Sequence, residues 1–141
     1  MYKTEICNSP EVLNSIIELR YDVLRKPWQK PIETVTDELE DSSVNVYIQS
    51  HNKVIACGRL QNNGNGVGQI RFMAVDSNYQ EKGLGKLIMA KLEIEAKALH
   101  LNSIELQARE NAVEFYKSCG YTIKEKSFCL WDIIQHYLMT K

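Results

Sequence analysis

The segment from Ile70 to His100 constrains the fold of this 141-residue chain more than any other. Ile70–Val75 is predicted to be a strand, and a polar stretch with two glycines follows it. From Leu84 the apolar residues recur at helical spacing, with lysines and glutamates between them. They are Leu84, Leu87, Ile88, Leu92, Ala96 and Leu99. The segment therefore predicts a strand, a turn and a long helix that packs one face on a sheet.

The remaining elements extend this pattern over the whole chain. Ser9-Pro10-Glu11 supplies an N-cap hydroxyl, a first-turn proline and an acid, which together predict a helix that ends before Pro27. Lys26–Asp41 is predicted to be irregular, with one short helix around Val35–Leu39. Alternating and apolar runs predict strands at Tyr2–Cys7, Val44–Ile48, Val54–Leu60, Gln69–Val75, Ser103–Ala108, Tyr121–Leu130 and Ile134–Met139, and Asn111–Ser118 is predicted to be helical. No repeat or linker interrupts residues 1–141, so we expect a single domain.

Composition argues against several classes of protein. A formal net charge of -1 disfavours nucleic-acid binding, which usually requires a basic excess. The four cysteines are widely spaced and predict neither a metal site nor a disulfide framework. No stretch is apolar enough for a membrane span, and the first residues lack the apolar region of a secretion signal. We therefore expect a cytoplasmic protein without metal, membrane or nucleic-acid partners.

The hexapeptide Gln80-Glu81-Lys82-Gly83-Leu84-Gly85 opens the long helix and is suited to binding an anion. A helix N-terminus has unpaired N–H groups, and glycines allow a phosphate to approach the backbone. Lys82 and Lys86 add positive charge. Leu87 occupies the place where a Walker A loop needs a hydroxyl for magnesium, so nucleoside triphosphate chemistry is disfavoured. A plain flexible turn before an amphipathic helix is the alternative.

This hexapeptide resembles the Gln/Arg-x-x-Gly-x-Gly/Ala signature of the GNAT superfamily of N-acetyltransferases. Ala112 to Tyr121 resembles a second motif of that family, Ala-x-x-Phe-Tyr followed by Gly-Phe/Tyr, in the expected order. The resemblance implies an α+β fold with three layers, α/β/α. Its mixed, mostly antiparallel central sheet would be splayed between the strands Ile70–Val75 and Ser103–Ala108.

The resemblance further implies acetyl-CoA as the co-substrate, wedged into the splayed sheet. The pantetheine would pair with the backbone of Met73, Ala74 and Val75. The loop and helix start would hold the pyrophosphate, through Gln80, Glu81, Lys82, Gly83, Leu84, Gly85, Lys86 and Leu87. Arg109 stands where the family often has Asn; we include it as a phosphate ligand, with simple solvation as the alternative.

Tyr116, in the second motif, is the predicted general acid, because a phenol can protonate the departing thiolate. The general base is left open by the sequence. Glu38 and Asp37 in the loop, Glu105 and His136 are candidates, and we select His136 and Glu38. Ordinary surface roles for these residues, or deprotonation through water, are the alternatives.

We therefore expect an acetyl-CoA-dependent N-acetyltransferase that acts on a primary amine of a small molecule or peptide by direct attack. Two alternatives remain: an inactive acyl-CoA-binding sensor, and an acyl-enzyme on Cys119. Arg20, Arg25 and Arg71 could recognise an anionic acceptor, although pairing with the loop acids is a simpler explanation. A homodimer is compatible with the near-neutral charge, but no interface is predicted.

Overall fold

The computed structural model describes all residues, 1–141, and contains one seven-stranded sheet with helices on both faces. The strand order is β1-β2-β3-β4-β5-β7-β6, and only β4 and β5 are parallel neighbours. The strands are β1 (Glu5–Ile6), β2 (Val44–Ser50), β3 (Lys53–Gly64), β4 (Val67–Val75), β5 (Ser103–Arg109), β6 (Thr122–Leu130) and β7 (Ile134–Thr140). The helices are α1 (Pro10–Leu24), α2 (Leu84–Ala98) and α3 (Val113–Ser118). The predicted mixed, mostly antiparallel fold is confirmed.

Two apolar clusters form the core, one on each face of the sheet. Helix α2 contributes Ile88 and Leu92 to the larger cluster, where they join Ile48 and Ile55 from β2 and β3. Helix α1 contributes Ile16 and Leu19 to the smaller cluster, together with Tyr47, Val54, Cys57 and Ala74. Because successive strand residues point to opposite faces, β2 and β3 supply both clusters. The result is the three-layer arrangement expected from the sequence.

Local sequence signals set the start of α1. The Ser9 hydroxyl accepts a hydrogen bond from the Val12 N–H at 3.3 Å, and Pro10 occupies the first turn. The predicted helix at Val35–Leu39 is wrong, because 3₁₀ turns cover Ile32–Val35 and Glu40–Ser42 instead. Side chains hold the intervening backbone: Asp37 accepts from the Leu39 N–H at 3.0 Å.

The sheet divides between β4 and β5. These strands pair only from Val67–Ser103 to Ile70–Leu106. Beyond this point β4 contains a bulge opposite β3, and Phe72 within it has a φ of 56°. A bulge bends its strand and increases the local twist. The two strands therefore diverge, and the predicted splay is present.

Buried ion pairs fix the loop between α1 and β2. Arg20 on α1 is 1% exposed and Arg59 on β3 is 0% exposed. Glu40 accepts from Arg20 at 2.7 Å and from Arg59 at 3.1 Å. Asp37 receives two hydrogen bonds of 2.9 Å from Arg59 and one of 2.9 Å from Arg71. The arginines therefore tie the loop to α1, β3 and β4.

Glu40 is charged because its partners outweigh its burial. Burial alone would raise the pKa of Glu40, but hydrogen bonds from Arg20 and Asn45 and the charge of Arg59 lower it to about 2. The side chain of Thr36 also donates to Glu40, at 3.1 Å. A carboxylate with this many donors is strongly held, and its removal leaves buried guanidinium groups without a counter-charge.

We expect Glu40→Gln to lower the free energy of unfolding by about 3 kcal/mol at neutral pH, because it leaves Arg20 buried and uncompensated. Folding lowers the pKa of Glu40. The contribution of the Glu40 carboxylate to the free energy of unfolding is therefore complete above the ordinary pKa of a carboxyl group and is lost as the pH falls toward 2. Urea unfolding followed by circular dichroism would measure this. The difference between wild type and variant should shrink from about pH 4.5 downward.

Glu38→Gln is the matched control, because Glu38 is exposed and lies two residues away in the same loop. It should change the stability by less than about 0.5 kcal/mol. Equal effects of the two substitutions would contradict a specific role for the buried network.

Candidate active site

Two cavities open where β4 and β5 diverge. The α2 cavity, of about 550 Å³, lies between β4, the start of α2, and α3. The arginine cavity, of about 200 Å³, lies between β4, β5 and β7 and is lined by Arg25, Arg71 and Arg109. Both cavities are lined by Met73, Ala112 and Tyr116. A reaction between two bound molecules would take place at this shared wall.

The start of α2 presents free backbone donors to the α2 cavity. Gly83, at the N-cap, has a φ of 77°, which favours glycine. No backbone carbonyl accepts from the N–H groups of Leu84, Gly85 or Lys86. The Leu87 N–H already donates to the Gly83 carbonyl at 3.2 Å. Three successive donors at the positive end of a 15-residue helix are suited to a phosphate.

The two glycines of the hexapeptide serve different purposes. A Cβ on Gly83 would meet nothing within 4 Å, so its role is conformational. A Cβ on Gly85 would lie 2.9 Å from the ring of Phe115. The sequence predicts that the missing Cβ at both glycines leaves room for a phosphate. At Gly85 that space holds the aromatic wall of the cavity instead.

The structure brings most of the predicted co-substrate residues together. Those that line the α2 cavity are Met73, Ala74, Val75, Gln80, Glu81, Gly83, Leu84, Gly85 and Lys86. The Gln80 side chain donates to the Val75 carbonyl at 2.7 Å and so closes the turn back onto β4. The sequence analysis missed Tyr79, Asn111, Ala112 and Phe115, which also line the cavity. The position of Phe115 next to Tyr116 was the available signal.

Three predicted co-substrate residues do not line the α2 cavity. Lys82 and Leu87 line neither cavity, and the Leu87 side chain is exposed. Arg109 lines the arginine cavity rather than the α2 cavity. It donates to the Leu24 carbonyl at 3.0 Å and stacks on Trp28. Its position at the end of β5 directs it to the other side of the divergence.

Tyr116 stands on the wall between the cavities with its hydroxyl free of protein hydrogen bonds. It packs edge-on against Phe115 and Tyr121, at centroid distances of 5.1 and 6.3 Å. Burial raises the pKa of Tyr116 above its ordinary value near 10; the neighbouring Cys119 raises it further and Arg109 opposes this. The phenol is therefore protonated at neutral pH and can donate.

His136 lines the arginine cavity with one nitrogen available as a base. Its Nδ1 lies 3.0 Å from the Ile134 carbonyl, which can only accept, so this nitrogen carries the proton. The ring stacks on Phe128 at 4.4 Å. Burial lowers the pKa of His136, the Ile134 contact opposes this, and the charges of Arg109 and Arg25 lower it further. Neutral His136 therefore presents the lone pair of Nε2.

The other candidate bases and the candidate nucleophile lie elsewhere. Glu38 is exposed and lines neither cavity, so the structure does not bring this predicted base to the site. Asp37 is committed to Arg59 and Arg71, and Glu105 accepts from Asn63 at 3.2 Å. Cys119 also lines neither cavity, and burial raises the pKa of its thiol.

Sequence comparisons find related proteins over most of the chain. A sequence profile described as "Acetyltransferase (GNAT) family" matches residues 13–121. The "Uncharacterized N-acetyltransferase YjcF" of Bacillus subtilis (strain 168) is 30% identical over 139 residues, which cover 99% of this chain and 99% of that protein.

Solved structures share the fold. A protein from Lactobacillus plantarum superimposes with a TM-score of 0.88 at 19% identity, covering 99% of this chain and 97% of that chain. An acyl-CoA N-acyltransferase from Pseudomonas aeruginosa superimposes with a TM-score of 0.79 at 18% identity, covering 100% of this chain and 98% of that chain.

None of the helices combines the length and apolar character needed to cross a bilayer. No group of three or more His, Cys, Asp or Glu side chains is arranged to hold a metal ion.

We expect Gly83→Ala to weaken the binding of coenzyme A about fivefold, as measured by calorimetry. An alanine at a φ of 77° is strained by about 1 kcal/mol. The free loop can relieve this strain by changing its conformation, but the loop with bound ligand cannot, so the cost appears as weaker binding. Gly64→Ala is the control, because Gly64 also has a positive φ, 88°, and open space around it. A loss of affinity in both, or in neither, would contradict the assigned role of the α2 start.

Proposed function

The chain belongs to the acetyltransferase (GNAT) family and is an acyltransferase, and from this premise we propose that it transfers an acetyl group from acetyl-CoA to a primary amine by direct attack. The acceptor would be a small molecule or a peptide. The observation that carries the proposal is Tyr116, whose unpartnered hydroxyl lies on the wall common to both cavities. One cavity would hold the donor and the other the amine.

The residues of the α2 cavity fit the chemistry of coenzyme A. The free N–H groups of Leu84, Gly85 and Lys86 would hold the pyrophosphate, and the Lys86 ammonium adds a full charge. Apolar side chains line much of the remaining wall, among them Phe115 and Met73. When bound, acetyl-CoA supplies a thioester carbonyl as the electrophile.

His136 would take the proton from the amine. It is neutral at pH 7 because its pKa is lowered, and its Nε2 has no protein donor. An ammonium group cannot attack a carbonyl, so a nearby base is required before or during attack. The positive charges of Arg25 and Arg109 favour the neutral imidazole and so keep the base ready.

Tyr116 would donate a proton or a hydrogen bond to the leaving sulfur. Its raised pKa keeps the phenol protonated over the working range of pH. Direct attack is favoured over an acyl-enzyme, because neither cavity is lined by a cysteine, serine or threonine. The chain's own contribution is therefore an acid on α3 and a base on β7.

We expect Tyr116→Phe to lower kcat about 100-fold while leaving the Kd for acetyl-CoA unchanged, because only the donor to the leaving group is lost. Thiol release with acetyl-CoA and a panel of amines would measure turnover. Tyr121→Phe is the control: it removes a hydroxyl from the same aromatic cluster, but that hydroxyl donates to Glu93 at 2.9 Å. Tight binding of acetyl-CoA with no turnover on any amine would instead support the alternative function, an inactive acyl-CoA-binding sensor.

We expect kcat in the wild type to have an acidic limb whose midpoint lies below the ordinary histidine value of about 6.5, because the pKa of His136 is lowered and its protonation removes the base. His136→Gln should lower kcat about 100-fold and abolish that acidic limb. His100→Gln changes an exposed histidine just after α2 and should leave the profile intact. An acidic limb that persists in His136→Gln would assign the base role to another group or to water.

A further inference from the structure

The five arginines of the chain divide into two groups by their partners. Arg20, Arg59 and Arg71 form ion pairs with Asp37 or Glu40. Arg25 and Arg109 have no carboxylate within ion-pair distance, although both line the arginine cavity. The absence of an ion pair at these two arginines requires an explanation, because a partly buried charge usually has a counter-charge.

Arg25 and Arg109 converge on one backbone oxygen. Arg25 donates to the Leu24 carbonyl at 3.1 Å and Arg109 donates to the same oxygen at 3.0 Å. Arg25 lies at the C-terminal end of α1 and Arg109 at the end of β5. Two cations from separate elements therefore meet at one point, where their mutual repulsion is unfavourable.

Burial and this repulsion both disfavour the charged form of Arg25. Burial and the charges of Arg109 and Arg71 lower the pKa of Arg25 to about 10. The group is still a cation at pH 7. The Leu24 carbonyl, at the negative end of the α1 dipole, offsets only part of two full charges.

Both guanidinium groups are rigidly held and still have free donors. Each has five N–H groups. Arg25 uses three of them, on the Leu24 carbonyl and on the hydroxyl and carbonyl of Thr34. Arg109 uses one. Arg109 stacks on Trp28 at 4.7 Å and Arg25 on Trp131 at 5.3 Å, so their planes are fixed before a ligand arrives.

The lining of the arginine cavity contains no aspartate or glutamate. Oε1 of Gln69 already accepts from Gln61 and Asn63. Besides the Tyr116 hydroxyl, the side-chain acceptors left are Nε2 of His136 and Oε1 of Gln107, which is buried without a partner. Gln107 and Arg109 are two residues apart on β5, so their side chains point to the same face of the sheet. The cavity thus offers donors at the arginines and acceptors for an amine close by.

We propose that the arginine cavity binds an acceptor amine that also carries an oxyanion, a carboxylate or a phosphate, and that Arg25 and Arg109 hold the oxyanion. This rests on the proposed function. The amine lies toward His136 and Gln107, and Tyr116 marks the side from which the acyl group arrives. A purely cationic acceptor, such as a polyamine, is repelled by this cavity.

Both tryptophans of the chain, Trp28 and Trp131, lie at these arginines with ring centroids 6.4 Å apart. Their fluorescence therefore reports on this cavity without any turnover. We expect titration of the free protein with succinate or inorganic phosphate, at constant ionic strength, to give a saturable change, and succinamide to give none. The tighter of the two anions identifies the kind of oxyanion.

Arg25→Gln and Arg109→Gln should each weaken that anion about 10- to 100-fold, because each removes a charged hydrogen-bond donor. Lys26→Gln removes the same charge next to Arg25 from an exposed side chain and should have no effect. Circular dichroism shows whether each variant folds; if Arg25→Gln does not, Arg109→Gln carries the test. No saturable change with either anion, or an equal loss in Lys26→Gln, overturns the proposal.

A second experiment separates this proposal from the proposed function. Thiol release is compared for β-alanine and O-phosphoethanolamine against the neutral β-alaninamide. Preference for an anionic amine that disappears in Arg109→Gln supports the proposal. Acetylation of the three amines without preference overturns it while the proposed function stands. Anion binding without acetylation of any amine leaves the oxyanion site in place and refutes the proposed function.

Discussion

The sheet parts between β4 and β5, and both cavities exist because of this break. The bulge at Phe72 redirects β4, and a non-glycine residue with a φ of 56° costs about 1 to 2 kcal/mol. The ring of Phe72 provides the compensation. It is buried under the guanidinium groups of Arg20, Arg59 and Arg71, whose central carbons lie 4.6 to 4.9 Å from its centroid. Cation–π contacts of this kind are most favourable where water is excluded.

The same arginines connect the bulge to the loop before β2. Glu40 and Asp37 neutralise most of their charge, so these two acids of the loop hold the sheet open. Neither of them pairs with Arg25 or Arg109, which are stacked on tryptophans instead. A chain with a net charge of -1 can therefore contain a strongly cationic cavity. Net charge restricts long-range steering, whereas local pairing decides what a site can bind.

The predictable parts of the structure are those that depend on neighbouring residues. The cap at Ser9, the glycine at the start of α2 and the Phe115–Tyr116 pair are all encoded locally, and the order of the elements follows from them. Pairing with the loop acids was the simpler expectation for Arg20, and Glu40 fulfils it. The particular partner was not predictable, because Glu40 is 20 residues away and helical spacing alone marks Arg20 as an ordinary polar position. The position of Arg109 also depends on tertiary structure. The motif placed it near the co-substrate, but the divergence of β4 from β5 directs it to the opposite cavity.

The two cavities differ in how strongly they depend on particular side chains. The α2 cavity presents backbone N–H groups of α2 and the part of β4 that does not pair with β5, so a broad range of side chains is compatible with it. The arginine cavity is built from side chains on α1, β5 and β7 and on the loops that carry the tryptophans. Under the proposed function, substitutions there would change the acceptor without disturbing Tyr116, which belongs to α3. Donor binding would then be tied to the fold, while acceptor choice would depend on side chains from elements that the fold brings together.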